Sequence, residues 1–322
     1  MNTILIVGFG NIGLRHFQSL NDTKKKIKIY VYDHDYSFLD SFINNQHFKI
    51  NKKIHLEKLN KLKVDEVIDV CILSTDSNKR YFLCKKILNL KVKNIIFEKV
   101  VFQNAIHFKK IFKIAKKNRV KMYVNCPRRA MEIFKSIKRN EIKNSKKIYL
   151  KFTGNNWGIC SNSIHFLDLI NYFTEKKINF KIKDLLFNKI YSSKRRNYYE
   201  LKGKIIFFHR NYQVILIDDN KIDESIFEIN IDEGKKVLKF NSNKTNNILT
   251  TIINNKLISK KKINFPLQSK MTIIQVDKLI NKSKCDLVTL SESYFYHKIL
   301  LDFYKKKFEK ILDKKLLNCP IT

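Results

Sequence analysis

Apolar residues fall along this chain in two rhythms, and the change comes near residue 127. Up to that point, short apolar runs alternate with longer amphipathic stretches. The runs at 3–8, 27–33, 67–74, 94–98 and 120–125 predict strands, and the stretches at 11–20, 36–45, 76–90 and 103–118 predict helices between them. Val67-Ile-Asp-Val-Cys-Ile-Leu and Ile95-Ile-Phe are largely apolar whichever face is considered, as parallel strands covered on both sides must be. This spacing is that of βαβ units and predicts a doubly wound parallel sheet. Beyond Pro127, residues 146–153 read as a strand. Residues 162–174 read as a helix with Ile164, Leu167, Ile170 and Phe173 on one face. From 202 to about 265, short β-rich runs separated by Asp219-Asn220 and Glu233-Gly234 predict a meander, largely antiparallel, with one covered face. Residues 188–200 are polar and predict a loop, and 291–312 predict a final amphipathic helix.

The first junction carries chemistry. Gly8, Gly10 and Gly13 are three of only seven glycines, and they follow the first apolar run directly and open the first helix. A strand, then Gly-x-Gly-x-x-Gly, then a helix is the context that a dinucleotide site requires. Gly8 allows the tight turn, Gly10 lets backbone approach a pyrophosphate, and Gly13 lets helix and strand pack closely. Free N–H groups and the positive end of the helix dipole then face the phosphates. Asp33 stands twenty residues past Gly13, at the end of the second predicted strand, where an acid accepts the ribose hydroxyls and repels a 2′-phosphate. NAD is therefore expected over NADP. His34 beside it would soften that repulsion, so NADP stays possible. The fold class expected is α/β: an N-terminal Rossmann doubly wound sheet over 1–125, and a C-terminal α+β domain with a largely antiparallel open sheet over 126–322.

Composition narrows the class. Lysine and arginine total 65 against 29 acids, a net charge of +36, which raises the question of nucleic acid. Only nine of the cations are arginine, the residue suited to bidentate phosphate and base recognition. The lysines are spread throughout among Asn and Ile, which fits a compositional bias, so no specific nucleic-acid partner is expected. No apolar stretch reaches the ~20 residues of a membrane helix, and no signal-peptide pattern opens the chain. Six scattered cysteines without a C-x-x-C pair suggest reduced, buried thiols of a cytoplasmic protein, with no metal site.

In an open α/β sheet, ligands bind beyond the carboxyl ends of the strands. Ser74, Thr75 and Asp76 follow the third expected strand, Glu98 and Lys99 the fourth, and Asn125-Cys-Pro-Arg128-Arg129 the fifth. The candidate cofactor-binding set is Gly8, Phe9, Gly10, Asn11, Ile12, Gly13, Asp33, Ser74, Thr75, Asp76, Glu98 and Lys99. Arg128 and Arg129 are either an anion clamp or an interdomain salt bridge. A second constellation runs from Trp157, the only tryptophan, to His165 and Asp168, which share a helix face at i and i+3. Histidine suits proton transfer near neutral pH.

Taken in order, Gly8–Gly13, Asp33, Glu98-Lys99, Arg128-Arg129 and His165-x-x-Asp168 resemble the glucose–fructose oxidoreductase and inositol dehydrogenase family (Gfo/Idh/MocA). The C-terminal Cys285-Asp-Leu-Val-Thr-Leu-Ser-Glu-Ser-Tyr-Phe-Tyr-His and Cys319-Pro-Ile-Thr look like members from surface-polysaccharide sugar pathways. The resemblance implies an NAD(P)-dependent dehydrogenase or reductase acting on the CH–OH group of a sugar or nucleotide-sugar. It also implies an oligomer, dimer or tetramer, with the open sheet often mediating assembly. Lys99 and His165 would carry the chemistry, and Arg128, Arg129, Trp157 and Asp168 would hold substrate. Two positions depart from the family: Val100 stands where proline follows Glu-Lys, and Ser161 stands where many members carry an aspartate four residues before the histidine. These leave two other readings open, a non-catalytic NAD-binding sensor or assembly protein and, on charge alone, a nucleic-acid-binding protein.

Overall fold

A computed structural model describes residues 1–45, 48–243 and 246–322. The chain divides into two compact units: residues 1–127 with 266–297 and Thr322, and residues 128–265 with 298–321.

The first unit alternates strand and helix as the apolar rhythm predicts: β1 (Asn2–Val7), α1 (Asn11–Leu20), β2 (Ile27–Tyr32), α2 (Ser37–Ile43), β3 (Ile54–Lys58), β4 (Ile68–Leu73), α3 (Ser77–Ile87), β5 (Val92–Phe97), α4 (Ala105–Lys117) and β6 (Lys121–Val124). These strands are parallel, in the order β6-β5-β4-β1-β2-β3. β3 was not among the expected strands. It reads Ile-His-Leu-Glu-Lys, half polar, because it lies at the sheet edge and has only one covered face.

The single cut between residues 125 and 126 expected from the sequence needs correction. The chain returns to the first unit at 266 with α7 (Gln268–Lys282) and a two-residue strand, β15 (Val288–Thr289), antiparallel to β6. The return has a packing cause. α1 presents Phe17 and Leu20, and Val276 and Leu279 of α7 join the same buried cluster as Ile4, Ile6 and Ile29 of the sheet. Without α7, that side of α1 would face water.

The second unit opens with a 3₁₀ turn (Pro127–Ala130 spans the boundary), α5 (Glu132–Ile137) and a π-helical turn, Lys138–Ile142. Then come β7 (Ile148–Gly154) and α6 (Ile159–Thr174). Six further strands follow to residue 253 and a seventh to 263: β8 (Lys181–Ser192), β9 (Tyr199–His209), β10 (Tyr212–Asp218), β11 (Ser225–Ile231), β12 (Lys236–Ser242), β13 (Asn247–Ile253) and β14 (Lys256–Ile263). They form one sheet in the order β14-β13-β12-β11-β7-β10-β9-β8, antiparallel throughout except for the parallel β10–β7 pair. β10 and β11 alternate partly exposed and buried positions, the period of a sheet with one covered face. α6 buries Ile164, Leu167, Ile170 and Phe173, the face its spacing predicts.

Residues 188–200, expected as a loop, are mostly strand: β8 runs to Ser192 and β9 begins at Tyr199. β8 is the sheet's edge strand, so its polar sequence reflects solvent on one side and not an absence of structure. The last helix, α8 (Leu290–Leu312), matches the expected 291–312 and passes from the first unit into the second after His297. All six cysteines are free and buried. Among the described residues no helix is long and apolar enough to cross a membrane.

Candidate functional site

The glycine loop between β1 and α1 is shaped as a cradle. Gly8 has φ +90°, and a Cβ there would meet the Thr75 methyl and amide at 2.7 and 2.8 Å. A Cβ on Gly13 would overlap the Gly8 carbonyl oxygen, so this glycine is what lets α1 approach the loop. Gly10 is different: nothing lies within 4 Å of a Cβ built on it. Gly10 is also the N-cap of α1. No side chain caps that end, and no acid stands in its first turn. Open space, exposed backbone and an uncapped helix start fit a dinucleotide pyrophosphate. Phe9 turns its ring inward, 1% exposed, edge-on to Phe17, so only its backbone faces the loop. Asn11 and Ile12 open the helix with exposed and half-buried side chains.

Asp33 ends the second strand and accepts the Phe9 N–H, tying strand end to glycine loop. Its other oxygen accepts the His34 N–H at 2.6 Å and lies 2.5 Å from His34 Nδ1. Asp33 and His34 therefore stand together just past β2, beside the glycine loop.

Of the three residues after β4, Ser74 donates its hydroxyl to the Gly8 carbonyl at 2.6 Å and braces the loop. Thr75 packs against Gly8, and among the described residues its buried Oγ1 has no hydrogen-bond partner. Asp76 caps α3, accepting the Lys79 N–H at 3.1 Å.

Glu98 follows β5 and is buried within a polar network. Its Oε1 lies 3.0 Å from His16 Nε2 and accepts the Asn125 amide at 2.5 Å, while His16 Nδ1 lies 2.8 Å from Thr272 Oγ1. Burial pushes the Glu98 carboxyl up. The His16 hydrogen bond and charge, Asn125 and the neighbouring Lys99 cation outweigh that, and the net pKa is lowered. Glu98 is thus held as a carboxylate behind Lys99, which is only half-buried. The Lys99–Val100 peptide bond is cis.

In the second unit, Trp157 donates its indole N–H to the Ile217 carbonyl at 2.9 Å and packs edge-on against Phe152 and Phe166. The Arg128 guanidinium lies 4.2 Å from the centre of the Phe166 ring. His165 projects half-buried from α6. Asp168, one turn on, is engaged by Arg129: Nη2 and Nε reach its two oxygens at 2.7 and 3.0 Å. Arg129 thus forms an ion pair, but within the second unit and not the interdomain salt bridge weighed from the sequence. The start of α6 is held by Glu200 of β9, whose carboxylate accepts the Cys160 N–H at 2.7 Å and the Ser161 N–H at 3.3 Å. The missing acid at Ser161 therefore has a carboxylate from another element beside its backbone.

Four participants were not among the residues expected from the sequence: His16 and Thr272 beside Glu98, Arg80 of α3, which donates to the Glu98 and Thr75 carbonyls, and His297 of α8, which accepts the Val101 N–H. Arg80 was the most accessible, as one of nine arginines near a strand end. His16 looked like any polar residue on a helix. Thr272 and His297 lie more than 170 residues from their partners, and no local pattern links them.

Comparison with known proteins agrees with this geometry. Residues 2–126 match the family model GFO_IDH_MocA, described as an oxidoreductase family with an NAD-binding Rossmann fold. No curated protein matches the sequence. Among solved structures, a dehydrogenase (MviM) from Clostridium difficile is 14% identical with a TM-score of 0.68, covering 95% of this chain and 99% of its own. An oxidoreductase from Agrobacterium radiobacter, in complex with NAD+, L-tartaric acid and magnesium, is 14% identical with a TM-score of 0.65, covering 93% and 94%. The super-repressor mutant of Gal80p from Saccharomyces cerevisiae is 14% identical with a TM-score of 0.68, covering 96% and 97%. At such identity these likenesses are of fold. The glycine cradle and the acid at the second strand both lie within residues 2–126, the segment that matches this family model and its NAD-binding Rossmann fold.

Proposed function

We propose that this protein is an NAD-dependent oxidoreductase that transfers hydride between the nicotinamide and a ring hydroxyl or keto group of a sugar or nucleotide-sugar. Its place would be in surface-polysaccharide biosynthesis. The observation that carries this reading is the Glu98-Lys99 turn. A buried carboxylate, kept ionised by His16 and Asn125, backs a half-buried lysine at the carboxyl end of a strand in the cofactor-binding sheet. A cation so placed holds a reacting oxygen and stabilises developing alkoxide charge. When bound, NAD supplies the hydride acceptor. His165 would take the hydroxyl proton as a hydride leaves the carbon that bears that hydroxyl, so the substrate loses two electrons and two protons, one proton to His165 and the other with both electrons as hydride. Arg128 and Trp157 are assigned to holding the sugar, and the Arg129–Asp168 pair ties the turn that carries Arg128 to α6 within the second unit. Exposed Leu257 and Ile258 on β14 support assembly into a dimer or tetramer through the open sheet, and six buried free thiols support a cytoplasmic setting.

The test separates binding from chemistry. Lys99→Met and His165→Asn should leave NADH affinity nearly intact, measured by fluorescence titration. Both should reduce turnover on a panel of hexoses and nucleoside-diphosphate hexoses, by about 10²–10⁴-fold for His165. Full activity of His165→Asn would make the histidine structural. A second reading, an NAD-binding sensor without catalysis, is favoured by one observation: Asp168, the acid on the His165 face, is spent on Arg129. Tight NADH binding with no turnover across the panel would support it.

A further inference from the structure

The turn that carries Lys99 is gripped by groups that have no part in the chemistry above. Arg80 of α3 is 0% exposed. Its Nη1 donates to the Glu98 carbonyl at 2.7 Å, to the Val100 carbonyl and to the Val101 carbonyl at 3.2 Å, and its Nη2 donates to the Thr75 carbonyl. From another side, the Val101 N–H donates to His297 Nε2 at 3.2 Å, while His297 Nδ1 lies 3.0 Å from the Ser293 carbonyl. Burial lowers the His297 pKa to about 4, so the ring is neutral and Nε2 is an acceptor.

Two features set Arg80 apart from ordinary packing. Burying a guanidinium is costly, and only a planar fork with five donors can serve several carbonyl groups at once. The four oxygens also come from two different loops. Thr75 borders Gly8 in the cofactor cradle, and Glu98, Val100 and Val101 flank Lys99. One rigid group therefore spans the loop that meets the dinucleotide and the turn that carries the proposed catalytic cation.

We infer that Arg80 is a positioning residue, a strut that sets where Lys99 stands relative to the glycine cradle. This rests on the role proposed above for Lys99. The test uses the full chain with NADH as probe. Arg80→Lys keeps a buried cation and loses the fork. It should bind NADH within about threefold of the parent, raise amide exchange over residues 98–102 about tenfold and lower kcat about ten- to a hundredfold at unchanged KM for NAD. If Arg80→Lys fails to fold, Arg80→Ala titrated with free guanidinium replaces it. Regained protection over 98–102 together with regained kcat supports the strut, and absence of both overturns it. Unchanged exchange in folded Arg80→Lys, or a kcat equal to the parent's, also overturns it. If Lys99→Met retains turnover while Arg80→Lys still loosens 98–102, the proposed chemistry falls and the strut stands.

Discussion

Asp168 meets Arg129 through both carboxylate oxygens, at 2.7 and 3.0 Å, with both side chains buried inside the second unit. The Arg129 guanidinium also lies 5.4 Å from the centre of the Tyr172 ring. Removing one partner leaves the other charge without its counter-ion, and breaking such a pair costs about 3–5 kcal/mol. Asp168→Asn should therefore lower the urea midpoint by that equivalent without weakening NADH binding. A change below about 1 kcal/mol would show that the pair is as easily solvated as a surface one.

The glycines predict opposite phenotypes. Gly10→Val puts its branched side chain into open space, so the fold should survive while the pyrophosphate's approach is blocked. Gly13→Ala drives a methyl into the Gly8 carbonyl, so it should lose stability first and cofactor second. Thermal melts with NADH titrations distinguish the two. Cofactor binding by Gly10→Val at parental strength would move the pyrophosphate elsewhere.

Asp33 holds the Phe9 N–H and pairs with His34. Asp33→Asn keeps an acceptor for that N–H and removes the charge that repels a 2′-phosphate. The ratio of NAD to NADP affinity should fall, with little change in melting temperature. Equal affinity of the unmutated protein for both cofactors would remove Asp33 as the selector.

Acid should weaken the first unit in a defined window. The His297 pKa is lowered from 6.5 to about 4 by burial. The unfolded chain therefore takes up a proton that the folded chain refuses as pH falls from 6.5 to 4. Stability is complete above 6.5, declines through that window and loses roughly 2–4 kcal/mol by its lower end. Glu98, whose pKa is lowered when folded, adds a second loss below 4.5, where its unfolded form protonates first. Urea unfolding of the parent and His297→Gln at several pH values checks this, with the variant expected to be flatter between 6.5 and 4.

Sequence alone determined what depends on neighbours in the chain. Buried parallel strands must be apolar on both faces, so the central strands of the first sheet declared themselves. The glycine loop was legible because the turn at Gly8 and the close helix approach at Gly13 each exclude a side chain at a fixed spacing. The alternation in β10 and β11 and the buried face of α6 were legible for the same local reason. Edge strands β3 and β8 were not, since one-sided burial leaves them with the composition of a loop. Only the tertiary structure decided the rest. It brought α7 back onto α1, where Thr272 meets His16 across 256 positions, and it set His297 against Val101. It also spent Asp168 on Arg129 and buried Arg80 among four carbonyls. Hydrogen bonds and ion pairs act over about 3 Å of space and are indifferent to sequence separation, so no pattern along the chain could announce them.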